Sequence, residues 1–193
     1  MNVQYMSDGK LNELIKACSA GSRKAQQEIY RSLYGTMMSV CLRYTRDADQ
    51  AQDILQDGFI KVFGNIDKYN FEGSFEGWVR RIIVNTAIDF HRKKKSDFLL
   101  LGENQSVEEF TDVEDEESDE EEYDFSPEEI IAAMQKLTPA YRTIFNLYVF
   151  ENLTHNEIAE KLGINAGTSK SNFAKAKRNL KRILLNDSKD RDE

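Results

Sequence analysis

Residues 153–185, LTHNEIAEKLGINAGTSKSNFAKAKRNLKRILL, hold two helix signals separated by a tight turn. Thr154 and Glu157 have the spacing of a capping box, in which hydroxyl and carboxylate each satisfy a backbone N–H left over at a helix start. Ile158, Ala159 and Leu162 then fall on one side of a short helix. Gly163 supplies the left-handed backbone that ends it, Ile164 plugs the turn, and Asn165 can cap a second, longer helix. That helix turns Phe173, Ala176, Leu180 and Ile183/Leu184 inward. Such a pair is a helix-turn-helix, with a small alanine at the close crossing and glycine at the turn. Its second helix is expected to expose Thr168, Lys170, Ser171, Lys175 and Arg178, residue types suited to phosphate contacts and to donor–acceptor readout in a major groove. A two-helix hairpin with a solvated basic face is the plainer alternative.

The same pattern continues upstream. Ser126-Pro127-Glu128-Glu129 and Thr138-Pro139 each place a capping hydroxyl before a proline at the first helical position. Four helices are predicted here, at about 127–136, 139–150, 155–162 and 166–186. The first half predicts four more, at about 9–19, 22–45, 47–65 and 75–95. No sustained alternation of apolar and polar residues marks a strand, so the fold class is all-α.

The cleanest amphipathic segment is 47–66. Ala51, Ile54, Leu55, Gly58, Phe59, Val62, Phe63 and Ile66 recur at spacings of three and four, while Asp47, Asp49, Gln52, Asp53, Gln56, Asp57 and Lys61 decorate the remainder. In the helix at 75–95, Trp78, Val79, Ile82, Ile83, Ala87 and Phe90 form the apolar side. Arg80, Arg81, Asn85 and Arg92 lie largely elsewhere, and the segment ends in Arg92-Lys93-Lys94-Lys95. The loop before it, Asp67 to Gly73, carries two aromatics expected to be exposed, Tyr69 and Phe71. Aromatic faces beside cations and an amide suit single-stranded DNA, whose unstacked bases regain about 1–3 kcal/mol each on an aromatic face.

Charge divides the chain further. Of 34 acidic residues, 14 lie between Ser96 and Phe125, where there is no Lys or Arg. Outside that stretch 26 basic residues face 20 acidic ones, so the net −8 describes the stretch rather than the folded parts. A flexible acidic linker at 96–125 is expected to tether two small helical domains, 1–95 and 126–193.

The N-terminal MNVQYMSDGKLNEL has no basic region followed by an apolar core, so no signal peptide is expected. Cys18 and Cys41 lack CxxC spacing and read as buried thiols of a reducing compartment, which makes the expected location cytoplasmic. His91 and His155 lie in different domains without metal-ligand spacing, and no phosphate loop or nucleophile elbow is present. An enzyme is not expected, nor a cofactor, metal or small-molecule substrate.

Three stretches in this order resemble the extracytoplasmic-function (ECF) subfamily of RNA polymerase sigma factors, which keep a sigma2 and a sigma4 domain. They are Asp47–Phe63 (DADQAQDILQDGFIKVF), Phe71–Lys95 (FEGSFEGWVRRIIVNTAIDFHRKKK) and Leu137–Leu185. The resemblance covers about 10–95 and 126–186. It implies a sigma2-like helical bundle and a sigma4-like helix-turn-helix, and a factor that binds core RNA polymerase and directs promoter recognition and melting. The implied partners are promoter DNA and the polymerase β′ clamp helices and β flap, with an anti-sigma factor as a further possible one. Asp49, Gln52, Asp53, Gln56 and Asp57 would meet the clamp. Tyr69 and Asn85 would receive a flipped base of the minus-10 element, with Arg80, Arg81, Arg92 and Lys93 on the backbone. Thr168, Lys170, Ser171 and Lys175 would read the minus-35 element, with Arg178 on phosphate.

This chain departs from the family at several positions. Ser169 stands where Val or Ile is usual, so a loosely packed start of the second helix is expected. Asn172 and Lys175 stand where Arg is frequent, and Phe71 replaces a small loop residue. A polymerase-independent helix-turn-helix regulator, with residues 1–95 as a dimerisation or sensing domain, is the alternative from another class; a decoy that sequesters an anti-sigma factor is a third.

A solvated spacer is the plainer reading of this stretch; on the other, fourteen carboxylates tethered to two basic domains should compete with DNA for them at millimolar effective concentration. Replacing those acids by Ser and Gly is expected to raise the DNA affinity of the free protein, most at low salt. An unchanged salt titration would contradict this.

Overall fold

The structure, a computed structural model, describes residues 8–93 and 125–192. The acidic stretch other than Phe125, together with Lys94, Lys95 and the side chain of Lys93, lies outside the described residues. All regular structure among the described residues is helical: α1 (Asp8–Ser19), α2 (Arg23–Tyr44), α3 (Ala48–Gly64), a 3-10 turn (Ile66–Lys68), α4 (Phe75–Lys93), α5 (Pro127–Lys136), α6 (Pro139–Val149), α7 (His155–Leu162) and α8 (Ala166–Asp192). They form two compact units, divided after Lys93.

In the N-terminal unit α2 packs against α1, α3 and α4. Ser22 caps α2 on the Ala25 N–H, and Asp47 caps α3 on the Gln50 N–H at 2.8 Å. Each such cap is worth about 1 kcal/mol. The predicted apolar face of α3 is the face that is buried, through Ala51, Ile54, Leu55, Phe59 and Val62. Gly58 lies so close to Ile83 of α4 that a Cβ there would collide with the isoleucine side chain. Cys18 and Cys41 are both buried, and burial pushes the Cys41 thiol up to about 12, which leaves it protonated and unreactive. His91, in a buried position on α4, bonds the Tyr44 carbonyl at the end of α2 through Nε2 at 2.7 Å.

In the C-terminal unit α8 packs against α5, α6 and α7. Ser126 and Glu129 form a full capping box, and Thr138 caps α6. Ala133, Met134, Leu137 and Leu180 form a core flanked by Ile130, Tyr141, Phe145, Ile183 and Leu184. The helix α8 runs on to Asp192, past the predicted end at 186. No Pro or Gly interrupts 186–192, and Asp187 takes two hydrogen bonds from Lys136 of α5 at 2.8 Å.

Sequence pattern missed the residue at the centre of this unit. Arg142 is fully buried, and its guanidinium donates to the Met134, Gln135 and Leu137 carbonyls at 2.9, 2.8 and 2.6 Å. The last carbonyls of a helix have no intrahelical partner. Arg142 supplies partners from α6, and a positive charge at a helix C-terminus also suits the helix dipole. Replacing Arg142 by Ala would remove three charge-assisted hydrogen bonds from the end of α5, where the Met134 carbonyl keeps the Leu137 N–H, and is expected to cost about 3 kcal/mol or more. A lowered urea midpoint for the C-terminal unit is the measurement; a shift within about 0.5 kcal/mol, the range of a surface substitution, would contradict the assignment.

Candidate nucleic-acid and polymerase-binding faces

The helix-turn-helix is built as its sequence pattern implies. Thr154 and Glu157 satisfy one another's backbone N–H groups at the head of α7, at 3.3 and 2.8 Å. That arrangement lowers the Glu157 pKa, chiefly through the Thr154 hydroxyl. Gly163 takes φ 70°, the left-handed conformation that a Cβ would strain, and Ile164 N–H returns to the Ala159 carbonyl at 3.0 Å. Asn165 Oδ1 accepts from the Thr168 N–H at 2.7 Å and starts α8.

Along α8 the inward positions are Ser169, Asn172, Ala176 and Leu180. On the opposite side Thr168, Ser171, Lys175 and Arg178 recur at three and four residues and form one stripe. Thr168 is half-buried and the other three are exposed. Lys170 is exposed on an adjacent stripe with Lys177 and Lys181. These two lysines and Arg182, also exposed, enlarge the basic face beyond the predicted residues; the run KAKRNLKR carries that signal.

Ser169 does not pack loosely. It is fully buried, and its hydroxyl lies 2.9 Å from His155 Nδ1 at the start of α7. Nor is His155 a bare surface residue, as its place at a helix start suggests. Its ring stacks on Tyr148 of α6 at 4.6 Å and meets Phe173 of α8 at 5.7 Å. Burial and then the charge of Lys170 lower its pKa below the ordinary 6.5.

On α4 the predicted residues separate. Arg81, Asn85 and Arg92 are exposed at spacings of four and seven, one stripe along the helix. Arg80 is half-buried and sits off that stripe. Asp89 adjoins it, 3.7 Å from Lys61 and 3.9 Å from Arg92, solvent-screened pairs worth little to stability.

The expectation that Tyr69 is exposed is corrected. It is 8% exposed, its hydroxyl donates to the Gly73 carbonyl at 2.8 Å, and its ring contacts Phe71, Phe75 and Trp78 at 5.1–5.6 Å. Burial raises its pKa. Phe71, as expected, is exposed, at 44%. It holds φ 63°, a conformation costly for a residue with a Cβ, in the same loop whose Tyr69 packs on Phe75 and Trp78 at the head of α4. Trp78 joins this aromatic group to the Arg81–Asn85 stripe one turn further on.

On α3, Asp49, Gln52, Asp53, Gln56 and Asp57 are all exposed, opposite the buried face. Gln52 Oε1 accepts from the Tyr34 hydroxyl of α2 at 3.3 Å. Ile60, one turn beyond Gln56 and Asp57, is 63% exposed, an apolar position the amphipathic pattern leaves unassigned. No group of three or more potential metal ligands occurs among the described residues.

The geometry defines a two-unit helical protein with a basic helix-turn-helix in one unit and separate acidic and basic faces in the other. The family model of sigma-70 region 2 matches residues 29–96, and that of sigma-70 region 4 matches residues 127–180. The ECF RNA polymerase sigma factor SigW of Bacillus subtilis is 28% identical over 184 residues, covering 90% of this chain and 96% of that one. RNA polymerase sigma factor SigV of the same organism is 29% identical over 160 residues, 83% of this chain and 86% of that one. Among solved structures, the sigma factor RpoE of Bartonella quintana, in complex with the anti-sigma factor NepR, aligns with a TM-score of 0.49 at 16% identity, covering 82% of this chain and 96% of that one.

The chain belongs to the sigma-70 family of RNA polymerase sigma factors, in its ECF branch, whose members direct transcription initiation. The polymerase-independent regulator is not favoured, because region 2 occupies the part that reading assigned to dimerisation or sensing.

With its pKa lowered in the fold, His155 adds stability that is present above pH 6.5 and lost as pH falls through the folded value. A proton NMR titration of its ring is expected to give a midpoint below 6.5. A midpoint above 6.5 would contradict the described environment.

Proposed function

We propose that residues 8–93 engage core polymerase and the opened minus-10 strand, and that residues 126–192 read the minus-35 duplex. The observation that carries this is the outward stripe Thr168–Ser171–Lys175–Arg178, on a helix whose opposite side is core. Thr168, Lys170, Ser171 and Lys175 contact bases and Arg178 contacts phosphate. Lysine lacks arginine's planar fork, so Lys175 contributes a point contact rather than bidentate recognition of guanine.

Asp49, Gln52, Asp53, Gln56 and Asp57 form the polymerase-binding face, meeting the β′ clamp helices, while the C-terminal unit approaches the β flap. Asn85 hydrogen-bonds an extruded base, and Arg81, Arg92 and Lys93 hold the strand, with Arg80 in support. Exposure favours Phe71 over Tyr69 as the ring the base meets, with Tyr69 as its backing. Unstacking costs a few kcal/mol, which base stacking and phosphate contacts offset. The phosphodiester chemistry belongs to the polymerase, and this chain is no enzyme. The protein acts in the cytoplasm, where an anti-sigma factor would inhibit it by covering one of these faces.

Asp53→Arg inverts a charge on an exposed position and leaves the core of α3 intact. It is expected to weaken binding to core polymerase at least about tenfold, since opposing like charges cost several kcal/mol at an interface. Fluorescence anisotropy of labelled full chain against core enzyme reads this, with circular dichroism to verify folding. Native affinity in Asp53→Arg would remove α3 from the interface.

A further inference from the structure

Three helices of the C-terminal unit meet at one small cluster. Tyr148 closes α6, His155 opens α7, and Ser169 and Phe173 lie in the first two turns of α8. The Tyr148 and His155 rings are nearly parallel at 19°, and Phe173 approaches Tyr148 at 4.4 Å. The rings provide shape but little register, because stacked faces slide. The His155–Ser169 hydrogen bond is directional, so it constrains how far α8 is rotated and advanced against α7. Ser169 immediately follows Thr168 and precedes Lys170 and Ser171, so any rotation at Ser169 moves all three. A fully buried serine hydroxyl at an inward helix position would be costly without a partner, and His155 is that partner.

Resting on the reading of α8 as the minus-35 helix, we propose that His155 and Ser169 form a polar latch that sets the pitch of α8 on duplex DNA, making His155 a positioning residue for promoter recognition. His155 acts through Ser169 and makes no DNA contact of its own. The charge of exposed Lys170 on α8 acts on the ring, Tyr148 covers one side of it, and Glu157 on its own helix is committed to Thr154. Burial and the Lys170 charge both lower the ring's pKa and so favour the neutral imidazole, whose Nδ1 shares the hydrogen bond with the Ser169 hydroxyl.

The test uses holoenzyme reconstituted from core polymerase and the full chain, on duplexes selected from a randomised upstream-element pool by the native holoenzyme. His155→Ala and Ser169→Ala are each expected to lower affinity about fivefold, the worth of one neutral hydrogen bond. The double variant should be no weaker than His155→Ala alone. His155→Asn, which keeps a polar atom near the Nδ1 position, should recover most of the loss.

The dependence of binding on salt should not change in these variants, whereas Lys175→Ala should reduce its slope by about one phosphate contact. Native affinity in His155→Ala overturns the latch, as do losses that multiply in the double variant. A reduced salt slope in His155→Ala also overturns it, by making His155 a phosphate contact. Failure of native holoenzyme to select any upstream sequence would instead defeat the reading of α8 on which the latch rests.

Discussion

The helix α8 has to fill a core along one side and, on the reading proposed above, present charge to DNA along the other. A helix can do both only if its apolar residues keep to one stripe and its neighbours hold that stripe without slippage. Ala176 and Leu180 satisfy the first demand, both buried, while Lys175, Lys177 and Arg178 remain outside. The second demand falls on α5, α6 and α7. Arg142 ties α6 to the end of α5 through three carbonyls, and the Tyr148–His155–Phe173 rings tie α6 and α7 to α8. Buried polar groups of this kind are costly when partnerless and directional when satisfied. Here they supply geometry that apolar packing alone would leave loose.

The N-terminal unit solves a related problem with two helices. One side of α3 fills the core and the other offers acids and amides, while α4 offers arginines and an asparagine. Close approach of α3 and α4 at Gly58 and Ile83 holds these helices in register. Separating opposite charges onto different helices gives one unit two surfaces of unlike chemistry. The Lys61–Asp89 pair spans the two helices at the surface, and solvent screening makes it a minor term.

Helix starts in the C-terminal unit were legible because the caps are explicit: Ser126, Thr138 and Thr154 each begin a helix by accepting a backbone hydrogen bond, as Ser22 and Asp47, which were not read as caps, also do. Exposed residues of α3 and α8 followed from periodicity for the same reason. Hidden from the sequence were polar groups whose partners are distant along the chain. Nothing local marks Arg142 as the group that the carbonyls at the end of α5, five to eight residues upstream, bond to. Ser169 looked like a packing defect until His155, fourteen residues away, closed over it. Tyr69 was misjudged because its partners, the Gly73 carbonyl and the Phe75 and Trp78 rings, are set by the course of a loop that periodicity does not describe.

Two units of different surface chemistry on one chain suit a protein that must hold an enzyme and two states of DNA together. The direct trial is run-off transcription by purified core polymerase on a promoter library, with and without the full chain. The account predicts that core enzyme alone starts nowhere specific, and that adding the chain produces discrete start sites sharing two spaced sequence elements. Identical transcripts in both reactions would contradict it.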